Sequence, residues 1–129
     1  MPKKVESIVC LGGVGRPLMA DATRWGDLLF LSGRAPVEPG TLELRADDFA
    51  SQAEAVLDDV AAVLAACDSS LEHVLRVDCY LADPADFAAW NEVFAARFPS
   101  SPPARTTLVT GFAVEGMLVE VEVVAGVPS

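Results

Sequence analysis

Apolar residues recur along this chain with two periods, one of two residues and one of 3.6, and the switches between them predict its elements. Leu75, Val77, Cys79 and Leu81 alternate with Arg76, Asp78 and Tyr80, the pattern of a strand with one apolar and one polar face. From Met117 to Ala125 the same period sets Met117, Val119, Val121 and Val123 on one face and Leu118, Glu120, Glu122 and Val124 on the other. The helical period governs two stretches. Phe49, Ala53, Val56, Leu57, Val60, Val63 and Leu64 make one stripe, with Asp47 as N-cap and an end expected near Cys67-Asp68-Ser69. Gln52, Glu54, Asp58 and Asp59 fall largely outside it. Asp83-Pro84 opens the second helix, with Asp as cap, Pro at the first helical position, and Phe87, Trp90, Phe94 and Phe98 as its buried stripe.

Four shorter strands are read at Val5–Leu11, Pro17–Thr23, Leu28–Leu31 and Arg105–Val109. The continuous apolar run Leu28-Leu29-Phe30-Leu31 reads as a strand buried on both faces. Gly12, Gly13 and Gly15 break the first strand, Pro39-Gly40 is a type II turn pair, and Pro99 to Pro103 is a stiff extended connector. Strands, helix, strand, helix, strands is the order of an α+β fold: one mixed sheet with two helices on one face, in a single domain spanning 1–129. The other face mixes Arg, Thr, Asp, Tyr and Glu with apolar residues. It is too polar for a core and too apolar for full exposure, so burial against other subunits is expected.

Charge narrows the function classes. Nine Lys and Arg against nineteen Asp and Glu give a net charge of −10, a poor match for nucleic acid or an anionic membrane surface. An anionic small molecule needs a local cation sheltered from that field. Cys10, Cys67 and Cys79 are odd in number and lack CxxC spacing, so neither a disulfide framework nor a zinc site is expected; no signal peptide is visible and a cytoplasmic location fits. Cys10 and Cys79 are expected buried, Cys67 more exposed, and His73, the single histidine, at the surface. Gly12-Gly13-Val14-Gly15-Arg16 lacks the G-K-[ST] ending of a phosphate loop and reads as a turn.

Several stretches taken in order resemble the Rid (YjgF) family of small trimeric proteins. They are Leu28-Leu29-Phe30-Leu31-Ser32-Gly33, Gln52 with Asp58-Asp59-Val60, Trp90-Asn91-Glu92-Val93-Phe94, Pro103-Ala104-Arg105-Thr106, and the ending Leu118-Val119-Glu120-Val121-Glu122. The resemblance runs from about Gly15 to Ala125 and implies a chorismate-mutase-like fold, a homotrimer whose sheets form a central barrel, and a cleft at each subunit interface. It implies hydrolysis of reactive enamines and imines, such as 2-aminoacrylate, to 2-oxo acids and ammonia, with no metal or organic cofactor. The family's carboxylate-holding arginine falls on Arg105, the glutamate near the attacking water on Glu120, the serine of the S-G turn on Ser32 with Gly33 beside it, and the helix-two asparagine on Asn91. The position that contributes through its backbone falls on Thr107. Where relatives carry tyrosines this chain has Met19 and Phe94, and where they carry glutamine after S-G it has Arg34.

The residue types suit that chemistry. A planar carboxylate is best held by a rigid, bidentate cation, which arginine is and lysine is not. A carboxylate such as Glu120 can hold and polarise water, and its neighbour Glu122 on the same strand face can raise its pKa. Ser32 is equally a lining donor or a turn residue satisfying backbone groups. The alternative to an enzyme is a non-catalytic or regulatory binder of small carboxylates, in which Arg34 would suit a dianionic or more polar ligand. A ribonuclease reading meets both the acidic balance and the lone histidine, which supplies no acid–base pair.

Overall fold

The computed structural model describes residues 3–11 and 18–129. The expected glycine break at 12–15, the phosphate-loop-like run and the start of the second expected strand at Pro17 lie outside the described residues. Six strands form one sheet, with β1 at Glu6–Ile8, β2 at Ala22–Trp25, β3 at Leu28–Leu31, β4 at Val74–Leu81, β5 at Ala104–Val109 and β6 at Val119–Gly126. Their order is β1-β2-β3-β6-β4-β5; all neighbours are antiparallel except β4 and β5, which are parallel. Helices α1 (Phe49–Ala66) and α2 (Phe87–Arg97) complete the mixed α+β fold.

The seven apolar residues of the α1 stripe are all buried, and they pack on Val77, Cys79, Leu81, Val119, Val121 and Val123 of the central strands. The parity read for β6 holds, with Val119, Val121, Val123 and Ala125 inward and the alternating positions half-buried on the other face. Gly40 takes φ +77° in the turn closed by the Thr41 N–H on the Glu38 carbonyl, as Pro39-Gly40 requires.

Several details differ from the sequence expectation. The cap of α1 is Asp48, not Asp47; its carboxylate accepts from the Ser51 N–H. The second strand runs Ala22–Trp25, later than Pro17–Thr23, because its partner β3 sets the register through Ala22 opposite Leu31. β3 is not buried on both faces: Leu29 and Leu31 are buried, but Leu28 and Phe30 are about half exposed, since the helices cover one side of the sheet only. A register shift between Val74 and Arg76 turns Val74 inward and leaves Leu75 exposed, breaking the alternation read for β4. Asp83 caps a short 3₁₀ turn, Pro84–Asp86, ahead of α2, and this turn leaves Phe87 exposed rather than in the buried stripe. Cys67 is buried and Cys10 exposed, the reverse of expectation, and His73 is half-buried with its ring Nδ1 3.0 Å from the Ser70 hydroxyl.

Gln52 and Asp59, placed outside the stripe, are both buried. Asp59 accepts from Arg45 at 2.8 Å. Gln52 donates to the carbonyls of Ala46 and Gly116 and accepts from the Leu118 N–H at 2.8 Å, so one side chain ties the approach to α1 to the approach to β6. Substituting Gln52→Leu strands these three backbone groups. Urea unfolding is expected to show a loss of about 3 kcal/mol or more, summed over buried groups costing about 1–3 kcal/mol each.

Candidate functional site

Edge strand β5 pairs with β4 on one side, with Arg105 opposite Val77 and Thr107 opposite Cys79. Val77 and Cys79 face the helices, so Arg105 and Thr107 face them as well. Helix α2 presents Phe87, Asn91 and Phe94 at i, i+4 and i+7, and all three meet Arg105. Asn91 Oδ1 accepts from an Arg105 Nη at 2.7 Å, and the guanidinium carbon lies 5.6 Å from the Phe87 ring centre and 4.9 Å from that of Phe94. Both rings are at cation–π distance.

Among the described residues Arg105 is exceptional. Arg24, Arg34, Arg45, Arg76 and Arg97 each lie within 4.0 Å of a carboxylate, whereas no described carboxylate pairs with Arg105. An amide oxygen orients its head group without neutralising it, and its remaining N–H donors have no described protein partner.

A second cluster lies on the opposite face of the sheet. β6 turns Glu120 and Glu122 away from the helices, and Tyr80 stands directly opposite Glu120 on β4. Tyr80 donates its phenol proton to Glu122, and this bond, with burial and the carboxylate's charge, pushes the phenol up to about 12. Burial first, then repulsion from Glu122, raises the Glu120 carboxyl above its ordinary value; Arg34 opposes the shift. Neither Arg76 nor Arg97 neutralises this pair, because Arg76 is held by Asp78 at 3.0 Å and Arg97 by Glu54 and Asp58. The Glu120 carboxylate lies over Gly33: a Cβ on Gly33 would sit 2.3 Å from Glu120 Oε1.

The residues around Gly33 serve mainly to hold one another. Ser32 donates its hydroxyl to the Ala20 carbonyl at 2.7 Å, the turn role. The backbone of Arg34 bridges to Val121, and its guanidinium donates to Asp21 at 2.9 Å. Asp21 also accepts from the N–H groups of Cys10 and Leu11; burial alone would raise its carboxyl, but these hydrogen bonds, led by that of Arg34, hold it below the ordinary range. Met19 is exposed just ahead of this cluster. The eight sequence-derived site residues thus fall into two groups, Arg105, Asn91 and Thr107 on the helix side, and Ser32, Gly33, Arg34, Glu120 and Met19 around the other.

With this geometry in view, the chain compares as follows. The family model described as Endoribonuclease L-PSP matches residues 17–127. The chain belongs to the Rid (YjgF) family. It is 37% identical over 115 residues to Protein DfrA of Myxococcus xanthus, covering 89% of this chain and 86% of that protein. The yeast protein YEO7 superposes with a TM-score of 0.87 at 31% identity, covering 97% of this chain and all of that one. RidA from the Antarctic bacterium Psychrobacter sp. PAMC 21119 superposes with a TM-score of 0.83 at 30% identity, covering 94% and 98%. The fold of this Rid chain is accordingly the chorismate-mutase-like one.

Sequence reasoning missed three residues at these clusters. Asp21, the partner of Arg34, lies thirteen residues away with no local signal. The period of two puts Tyr80 on a polar strand face and says nothing of its partner Glu122. Phe87 was placed in the core stripe, although its i, i+4, i+7 spacing with Asn91 and Phe94 marked a shared face.

The Glu120–Glu122 repulsion has a measurable consequence. A raised pKa keeps Glu120 neutral to a higher pH than an ordinary glutamate, whose value is about 4.3, and its ionised form is lost as pH falls through that raised value. Glu122→Gln removes the repelling charge while still accepting from Tyr80. Carboxyl NMR titration is expected to place the Glu120 midpoint lower in the variant than in the parent.

Proposed function

We propose that this protein hydrolyses reactive enamines and imines of the 2-aminoacrylate type to 2-oxo acids and ammonia, at sites shared between subunits of a homotrimer in the cytoplasm. The observation that carries this reading is Arg105, a cation oriented by Asn91 with no described carboxylate partner. A small organic acid is the complement such a head group lacks.

Arg105 and Glu120 stand on opposite faces of one sheet, two strands apart in the order β6-β4-β5, which is about 10 Å at the usual strand spacing. One copy of the chain does not bring both to one small ligand. A second copy covering the half-exposed sheet face does, and the exposed Phe30 and Leu108 supply apolar area for that contact.

In this reading the substrate carboxylate binds Arg105. An enamine gains a proton at C3 and becomes the imine. Water held by Glu120 of the neighbouring copy attacks C2 and gives a proton to that carboxylate. That proton passes to the carbinolamine nitrogen, the C–N bond breaks as the hydroxyl on C2 gives its own proton back to Glu120 and becomes the carbonyl, and ammonia and the 2-oxo acid leave. A protonated imine is already a strong electrophile, so positioning and charge complementarity supply most of the acceleration. The ribonuclease suggested by the family description fits less well, because a net charge of −10 repels a polyanion.

Imino acids generated in situ by an amino-acid oxidase test the proposal. Their decay is expected to accelerate with the protein and to return to the uncatalysed rate with Arg105→Ala, while Arg105→Lys recovers little because the bidentate fork is gone. Sedimentation should give three times the chain mass. A monomer, or decay unchanged by the parent protein, defeats the reading, and the latter would leave a carboxylate binder.

Gly33→Ala supplies a second check. The added methyl group meets the far end of a flexible side chain, so thermal stability should change little. Glu120 must swing aside, and a displacement of about 1 Å is expected to cost up to about a hundredfold in turnover.

A further inference from the structure

We infer that Phe87 is a specificity-determining residue, selecting imino acids with one carboxylate and an apolar side chain, aromatic or branched, over those with a second carboxylate; this rests on the imine-hydrolysis reading above. Phe87 is the large apolar residue of α2 that the core does not use, with 47% of its surface exposed, whereas Trp90 and Phe94 on the same helix are buried. Its ring stands 5.6 Å from the guanidinium carbon of Arg105. A ligand whose carboxylate is held by Arg105 therefore starts next to an exposed phenyl ring, and an apolar substituent gains contact there that a methyl group does not reach.

The chemistry around Arg105 disfavours a second anionic group. Phe87 and Phe94 offer rings without a hydroxyl, and Asn91, whose Oδ1 is taken by Arg105, brings no charge, so no second cation stands there to neutralise another carboxylate. Arg34, the other cation near the candidate residues, is already bound by Asp21 at 2.9 Å with both side chains mostly buried, so it is not available to a dianion. The face that would close the site from a second copy carries Glu120, Glu122 and Asp78, which repel a second carboxylate.

The test compares kcat/KM for imino acids generated from phenylalanine, leucine, alanine and aspartate by oxidases of matching specificity, using the full chain. The phenylalanine- and leucine-derived imines are expected to exceed the alanine-derived one by about tenfold, the lower end of what pocket contacts worth one or two methylenes give. The aspartate-derived imine should be slowest. Phe87→Ala is expected to bring the phenylalanine-to-alanine ratio close to one, and Phe87→Leu to restore much of it. Calorimetric binding of phenylpyruvate, pyruvate and oxaloacetate should follow the same order. A ratio unmoved by Phe87→Ala, with Arg105→Ala still abolishing turnover, overturns this inference and leaves the hydrolase reading intact. No acceleration of any imine overturns the hydrolase reading and this inference with it.

Discussion

A guanidinium taken partly out of water beside two phenyl rings loses hydration, and proteins usually offset that loss with a carboxylate. At Arg105 the offset is incomplete. Asn91 satisfies one donor, the rings of Phe87 and Phe94 contribute their quadrupoles, and the charge is left over. The other described arginines show the ordinary solution, each beside an aspartate or glutamate. A chain with nineteen acidic residues in which Arg105 has no carboxylate partner among the described residues retains the attraction that a small carboxylate can use.

The two-residue period of strands then decides what kind of site is possible. Successive side chains on β5 and β6 leave the sheet on opposite sides, so a residue's parity fixes which of the two clusters it joins. Arg105 falls on the helix side. Glu120 falls on the other, beside Glu122 and Tyr80, with its carboxylate filling the space that Gly33 leaves by having no Cβ. One sheet separates the two positions. The same parity leaves Leu28 and Phe30 half exposed on β3, on the face that carries the glutamates.

Much of this was legible in the residues. The 3.6-residue stripe of α1 and the alternation of β6 follow from hydrophobic burial on a single side, which sequence period records directly. The errors fall where a long-range contact or a one-residue change in backbone path intervenes. The bulge after Val74 inverts Leu75. The 3₁₀ turn after Asp83 swings Phe87 out of the core and beside Arg105. Gln52 falls outside the apolar stripe by period, yet it is buried, its amide bonded to backbone groups of Ala46, Gly116 and Leu118.

By itself the sequence determined the α+β class, because periodicity and short-range spacing are local properties of the chain; Arg105, Asn91 and Glu120 entered as site candidates through the family resemblance. Only the tertiary structure decided which of those groups share a face, which arginines are neutralised and which aromatic ring of α2 stays exposed. Those outcomes depend on partners 13 to 42 residues apart, Asp21 for Arg34, Glu122 for Tyr80 and Asn91 for Arg105, and on the register that brings them within hydrogen-bonding distance.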